Sequence, residues 1–513
     1  MRIIVHNNHE FVKILDEHLR EVSFPKENTL GQTLFSLATA FPDRLLLWCH
    51  QAYYEGLNFK TIDEVFRYPR MMVSYSVANK KYLTEHIGYV EDSPFINVKY
   101  NVSYPTWLMS SDVGGVHAEV LNNLSLNDFQ EKNFNLFLNS LAKTTMSEGL
   151  LCYSNPNLLQ GNPEPKIPVE QASAYQLFKF IKLHYKKRWV FFLFTALLFF
   201  EKKLSLFPLV NALFHKKRVV NTLVISRIEG THNLVIPKFG AVDIIIPTIG
   251  RKKYLFDVLK DLAAQTFLPE RVIIIEQNPA IDTISELDYL YVLDWPFKIV
   301  HKFTHRIGAC HARNLAIALT RSPWVFFADD DNRLQPDTLE HALKTLLESG
   351  ARAITSSYLQ KNEKKTDFTI RQWSTFGAGN SFVQGDIARS IKFDLSYEYG
   401  YGEDKDYGMK LRNIGVDVIY YPFDILHLKA PVGGFRNSIK KPWESEDILP
   451  KPSPTVMLYR KRHTTPFQLN GYRLLLFIKF YNKQHIKNPF VYIKQMRRAW
   501  ESSAFWANKL DKQ

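Results

Sequence analysis

The stretch "WVFFADDDNRL" at residues 324–334 joins a short apolar run to three consecutive carboxylates, Asp329, Asp330 and Asp331. Five residues rich in aromatic and β-branched side chains read as a buried strand. Like charges crowded at its end raise one another's pKa unless positive charge sits among them. Two Asp residues with one residue between them can aim their oxygens at one spot, and hard divalent cations take such ligands while leaving positions open for phosphate oxygens. A solvated acidic turn capping the next helix is the plainer alternative. Delivery of the triad by a buried strand favours the cation.

Upstream, "VDIIIP" (242–247) is a second apolar run, ended by the loop "TIGR". In "KYLFDVLKDLAAQ", Leu255, Val258, Leu259 and Leu262 recur at helical spacing. "RVIIIEQ" is a further strand and "GACHARNLAIALT" a helix rich in small residues. Downstream of the triad, "PDTLEHALKTLLESG" reads as a helix with Asp337 as N-cap and Gly350 as its stop, and "ARAITSSYL" as a strand. Strands alternating with helices predict a mostly parallel, helix-covered sheet. Such sheets bind ligands beyond the carboxyl ends of their strands, where Thr248, Arg251 and Glu276 also fall.

Two more clusters follow. "GYGEDKDYGMKLRNIG" (400–415) places Glu403 and Asp404 at a helix start, where the positive end of the dipole favours carboxylates. By itself this reads as a good N-terminal turn. "STFGAGNSF" (374–382) holds Gly377 and Gly379, which permit close backbone approach to a ligand. His427 lies beyond both clusters and offers a further metal ligand.

Taken in order, "VDIIIPTIGR", "GACHARNLAIALTRSPWVFFADDD", "FGAGNSF" and "GEDKDYGMKLRNIG" resemble the GT-A glycosyltransferases of the large inverting family 2, over about residues 242–436. The resemblance implies a Rossmann-like α/β sheet and a nucleoside diphosphate sugar donor, a UDP-sugar foremost. Its base would lie near Pro247, Thr248, Arg251 and Glu276, with Arg306 and Arg313 approaching the donor. A short acidic side chain commonly ends the second strand in the family, so Glu276 followed by Gln277 is a departure. Asp329 and Asp330 would face the donor, and Asp329, Asp331 and His427 would hold Mn²⁺ or Mg²⁺. Asp404, or else Glu403, would take the proton from the acceptor hydroxyl. Trp373, Gly377, Gly379 and Asn380 would shape the acceptor and sugar pocket. The acceptor would be a glycan or lipid-linked glycan of a surface polysaccharide. Three rivals stand beside this reading. A processive synthase would carry Arg before the Trp of "IRQWSTF". A metal-dependent nucleotidyltransferase would carry a glycine-rich basic loop after the first strand. The third is a non-catalytic sugar-nucleotide-binding or scaffold protein.

The remaining chain is less specific. At 513 residues, 46% hydrophobic and 23% charged, it is globular and long enough for several domains. Three scattered cysteines make neither a disulfide framework nor a zinc pattern and suit a reducing compartment. The opening residues lack the apolar run of a secretory signal. Residues 1–165 are expected to form an accessory α/β domain, either a diverged GT-A-like copy without the acidic triad or an unrelated fold. The net charge of +14 gathers at 169–220 and in a helical tail at 450–513. The apolar run "WVFFLFTALLFF" (189–200) is shorter than the ~20 residues that span a bilayer. The 169–220 section is therefore expected to lie on a membrane surface, with Tyr185, Trp189 and the Lys/Arg residues at headgroup level. No nucleic-acid motif accompanies the charge. The expected protein is cytoplasmic and peripheral on the inner face of the cell membrane, with its oligomeric state open.

Overall fold

The computed structural model describes residues 1–161, 163–219, 225, 228, 240–398, 400–434 and 440–512. The expected section ends at 220 and 436 lie outside the described residues. The chain forms two compact units, Met1–Leu234 with Thr464–Ile478, and Val235–His463 with Lys479–Gln513.

The first unit holds strands β1 (Arg2–His6), β2 (Phe11–Leu15), β3 (Leu45–His50), β4 (Met71–Tyr75), β5 (Tyr104–Pro105), β6 (Val113–His117) and β7 (Leu151–Ser154). They form one sheet in the order β2-β1-β3-β6-β4-β7-β5. Its helices are α1 (Leu30–Ala40), α2 (Ile62–Val65), α3 (Ala118–Asn122), α4 (Phe134–Met146), α5 (Ala174–His184), α6 (Arg188–Glu201) and α7 (Leu206–Leu213). A capping box of Ser173 and Gln176 starts α5, satisfying two amides that a helix start leaves open.

The basic section expected at 169–220 is not a separate body, because α5 is core. It buries Leu177, Phe178, Phe180 and Ile181, and Phe180 stacks on Trp107 with centroids 5.5 Å apart. Tyr185, expected at headgroup level, instead donates to Glu91 Oε2 at 2.6 Å inside the unit, and Trp189 is half-buried. Periodicity shows that a helix has an apolar face but not what covers it.

The second unit holds β8 (Val242–Thr248), β9 (Arg271–Gln277), β10 (Lys298–Thr304), β11 (Trp324–Ala328), β12 (Asn332–Arg333), β13 (Ala353–Gln360), β14 (Arg371–Gln372), β15 (Asn380–Gln384) and β16 (Ile419–His427). The sheet order is β10-β9-β8-β11-β15-β13-β16-β12, with β14 beside β16. The four strands from β10 to β11 run parallel. Its helices are α8 (Lys252–Ala263), α9 (Tyr289–Val292), α10 (Ala309–Leu319), α11 (Thr338–Ser349), α12 (Gly385–Ser390), α13 (Glu403–Asn413), α14 (Pro454–His463) and α16 (Pro489–Leu510), while α15 (Pro466–Tyr481) belongs mostly to the first unit. Gly350 ends α11 in the left-handed region, at φ 63°. The expected tail at 450–513 is divided. Residues Thr464–Ile478 join the first unit, where Gln468 Nε2 donates to the Glu91 and Ser93 carbonyls at 3.2 and 3.1 Å.

The two sheets share a path. From β1 the neighbours β3, β6, β4 and β7 follow with parallel, antiparallel, antiparallel and parallel pairing. From β8 the neighbours β11, β15, β13 and β16 follow with the same directions. In each unit a long helix, α4 or α13, precedes the last of these strands.

Strands β8, β9 and β11 are buried along their whole lengths, so their central residues read as apolar runs. Asp243 is a charge near the start of β8. It is fully buried and binds Arg271 through two contacts, at 2.8 and 3.1 Å. It also accepts from the amides of Arg321 and Ser322, at 2.6 and 3.0 Å. Asp243→Ala would leave Arg271 without its counter-charge, a loss worth about 3–5 kcal/mol for buried pairs. Urea denaturation should show that loss, and an Asp243→Ala/Arg271→Leu double variant should recover part of it. A single variant as stable as the parent would exclude the pair as a support of the sheet.

Candidate active site

The acidic triad leaves β11 at the carboxyl end of the parallel strands, and its members point to different partners. Asp330 turns toward β8, accepting from Thr248 Oγ1 at 2.7 Å and from Arg251 Nη1 at 2.8 Å. Asp329 accepts from Arg313 Nη2 at 3.0 Å, and the Tyr358 hydroxyl lies 3.0 Å from its Oδ2. Asp331 accepts from the Ala430 amide at 2.8 Å and from Arg251 at 3.2 Å.

The electrostatics follow from these contacts. Burial pushes Asp330 up to about 7, against the pull of Arg251 and Thr248. Burial also pushes Asp331 up, but His427, the Ala430 amide and Arg251 outweigh it and hold the group below its ordinary value. Burial tends to lower Arg313, yet Asp329, Asp404 and Glu403 keep its guanidinium protonated.

Asp329, Asp331 and His427 each offer a ligand atom, and the three atoms lie within 4.8 Å of one another. Asp331 Oδ1 is buried with no hydrogen-bond partner, and His427 Nε2 is 3.5 Å from it. Buried polar atoms are rarely left open. One imidazole nitrogen and two carboxylates, one of them with an unsatisfied oxygen, fit a divalent cation such as Mn²⁺ or Mg²⁺. Tyr358 stacks on His427 with centroids 4.5 Å apart, which fixes the ring. Gly379 lies so close to Asp329 and the Tyr358 hydroxyl that a Cβ there would collide with both.

A cavity of about 470 Å³ opens over the triad, lined also by Pro247, Arg313, Glu398, Glu403 and Lys429. Ligand pockets commonly measure about 300–1,000 Å³. A second cavity, of about 290 Å³, is lined by Ser356, Ser357, Trp373, Thr375, Asn380 and Asp404. The neighbouring acids of α13 thus line different spaces, Glu403 the first and Asp404 the second. Burial, reinforced by Glu403, pushes Asp404 up to about 8, against the opposing pull of Arg313. Its Oδ1 has no hydrogen-bond partner.

The structure thus brings together Pro247, Arg251, Arg313, the triad, Glu403 and His427 around the first cavity, and Trp373, Gly377, Asn380 and Asp404 around the second. Thr248 stands behind them as a support for Asp330. Glu276 lies elsewhere, because its carboxylate is taken by His301 Nε2 at 3.0 Å and by the Glu286 amide at 3.0 Å. Arg306 is exposed and outside both linings. Asn380 Nδ2 is committed to the Ser356 carbonyl at 2.7 Å.

Sequence reasoning missed Tyr358 and Glu398. Tyr358 sits on a strand without a motif around it. Glu398 accepts from the amides of Cys310 and His311, at 3.2 and 2.6 Å, at the start of α10. Gly308 there has φ 145°, and a Cβ would strike the Glu398 carboxylate. The glycine preceding a small-residue helix was the available signal for an anion at that end.

The raised pKa of Asp404 predicts a pH signature. An ordinary Asp titrates near 3.8 and this one near 8, so the folded state holds the proton more tightly between those values. Stability is therefore lost as pH rises through that window. Asp404→Asn removes the cost, so its melting temperature should match the parent near pH 4 and exceed it increasingly up to about pH 8. Thermal melts across that range check the sign, and a constant difference would exclude a raised Asp404.

Residues 243–400 match the profile of glycosyl transferase family 2. Over 143 residues the chain is 29% identical to a protein of Rickettsia felis named an uncharacterized glycosyltransferase, a match covering 28% of this chain and 23% of that one. Glycosyltransferase GlyG of Streptococcus pneumoniae is 18% identical over 127 residues, 25% of this chain and 42% of its own. The chain thus spans under half the length of either relative. The crystal structure of S. aureus TarS 1-349 is similar at 18% identity and TM-score 0.31, over 37% of this chain and 60% of that one. The acidic triad and the glycine-rich loop both fall within residues 243–400, the segment that matches glycosyl transferase family 2.

Proposed function

We propose that the protein transfers a sugar, with inversion, from a nucleoside diphosphate sugar to a hydroxyl of a glycan or lipid-linked glycan acceptor in surface polysaccharide synthesis. A UDP-sugar is the foremost donor. The observation that carries this reading is the convergence of Asp329, Asp331 and His427 within 4.8 Å, in a 470 Å³ cavity at the strand ends. Bound Mn²⁺ or Mg²⁺ would offset negative charge on the departing diphosphate. Arg313, fixed by Asp329, adds a preorganised cation on the donor side. Asp404 takes the proton from the acceptor hydroxyl, and its raised pKa makes it a stronger base than an ordinary carboxylate. Its place on the second cavity, among Ser356, Ser357 and Thr375, supports entry of a hydroxyl-rich acceptor from that side.

The first unit is read as a diverged copy of the same fold that has lost this chemistry. Strand β3 pairs with β1 in parallel as β11 does with β8, but it ends in Cys49 and His50 and no acidic triad follows it. The first turn of α4 carries no acid, whereas that of α13 carries Glu403, Asp404 and Asp406. Glu170 ties Asn133 and Asn135 at the α4 start, and the space there is about 30 Å³.

Calorimetric titration with UDP, GDP and dTDP, each with Mn²⁺ and with chelator, tests the donor site. Metal-dependent binding of one nucleotide, abolished in Asp331→Asn, is the expected result. Binding of none to folded protein would reject the reading. In a transfer assay Asp404→Asn should lower the rate by about 10²–10⁴-fold with donor binding retained, and equal loss of both would exclude Asp404 as base.

A further inference from the structure

No helix among the described residues is long and apolar enough to cross a membrane. Helix α6 has 14 residues and so reaches only about 21 Å, against ~30 Å of hydrocarbon. Yet α6 is apolar on two opposite sides. Val190, Leu193, Ala196 and Leu197 face the core of the first unit. Phe191, Leu198 and Phe199 face outward, at 44%, 38% and 60% exposure. Helix α7 divides in the same way. Pro208, Leu209 and Ala212 are buried, while Phe207 and Val210 stand out, with Phe214 directly after the helix at 83% exposure. A surface helix ordinarily turns a polar face to water. Here the outward faces of two consecutive helices are aromatic and aliphatic, which is how an interaction surface is marked.

Cations fringe these faces. Lys186, Lys187 and Arg188 lie at the start of α6, Lys202 and Lys203 in the turn to α7, and Lys216 and Lys217 beyond it, all exposed. The one acid between residues 172 and 219, Glu201, is engaged by the Tyr89 hydroxyl at 2.8 Å and lies 3.7 Å from Lys203. A second copy of the same face would set these lysines against one another, and like charges in register oppose self-association. An anionic bilayer surface satisfies both features. It takes apolar side chains at the acyl boundary, and it attracts Lys and Arg near the headgroups.

We infer that the outward faces of α6 and α7 form a docking surface for an anionic lipid bilayer, into which Phe199, Phe207 and Phe214 insert while the flanking lysines meet the headgroups. The proposed lipid-linked acceptor gives this surface a purpose, and the inference rests on that reading for its purpose only. The surface is narrower than the whole basic section, because α5 and the inner sides of α6 and α7 belong to the core.

Sedimentation of the full chain with phosphatidylcholine vesicles, with and without phosphatidylserine, tests it. Binding is expected only with phosphatidylserine, and it should weaken with salt. Each lysine changed, in Lys202→Gln, Lys203→Gln, Lys216→Gln and Lys217→Gln, should lower partitioning about fivefold, the equivalent of ~1 kcal/mol per basic residue. Phe199→Ser/Phe207→Ser/Phe214→Ser should abolish binding without lowering the melting temperature, since all three side chains are exposed. Equal binding to neutral vesicles, no binding by the parent chain, or conversion of a dimer to a monomer by the triple Phe variant would overturn the inference. Nucleotide titration of the same triple variant separates the two readings. Retained nucleotide binding with lost vesicle binding isolates the docking face. Lost nucleotide binding by the parent, with vesicles still bound, removes the proposed function and leaves the surface standing.

Discussion

Three carboxylates at the end of a buried strand cannot stay there without compensation, and much of the second unit is arranged to supply it. Arg251 reaches from the β8 loop to Asp330 and Asp331, and the same guanidinium holds the carbonyls of Ala430 and Val432. Arg313 rises from α10 to Asp329. One charge problem therefore ties β8, α10, β11 and the segment after β16 together. The compensation is incomplete at Asp331 Oδ1 and at Asp404 Oδ1. Unsatisfied buried acids are costly to a resting fold and useful to a site that receives a cation and a proton.

The first unit is informative by contrast. Its five central strands follow the same path with the same directions, yet β3 ends in His50 and is followed by Gln51 instead of acids. Without crowded carboxylates there is no demand for buried arginines at that strand end. The α4 start is closed by neutral amides and Glu170. A sheet path of this kind depends on apolar burial, which many side chains can provide, whereas the acidic site of the second unit depends on a few named charges.

Much of the candidate site was legible because acids concentrated at a strand end are rare and have few structural uses. Asp329, Asp331, Glu403, Asp404 and His427 fall in short, distinctive contexts. Glu276 shows the limit of such reading. It occupies a plausible strand end, and His301, 25 positions away in sequence, claims its carboxylate. Tyr358 shows the converse, since nothing local marks a tyrosine that touches Asp329 and stacks on His427. The split between Glu403 and Asp404, adjacent in sequence and lining different cavities, follows from the 100° step of a helix.

The sequence by itself determined the alternation of strands and helices from β8 onward, the strand that delivers the triad, and the stop of α11 at Gly350. These depend on local periodicity, turn chemistry and charge density, which a linear string carries intact. Only the tertiary structure decided that α5 belongs to a core, that Thr464–Ile478 returns to the first unit, and that α6 and α7 leave aromatic rings uncovered. Such outcomes depend on which distant segments meet, and an apolar helix face looks the same in sequence whether protein or water lies against it.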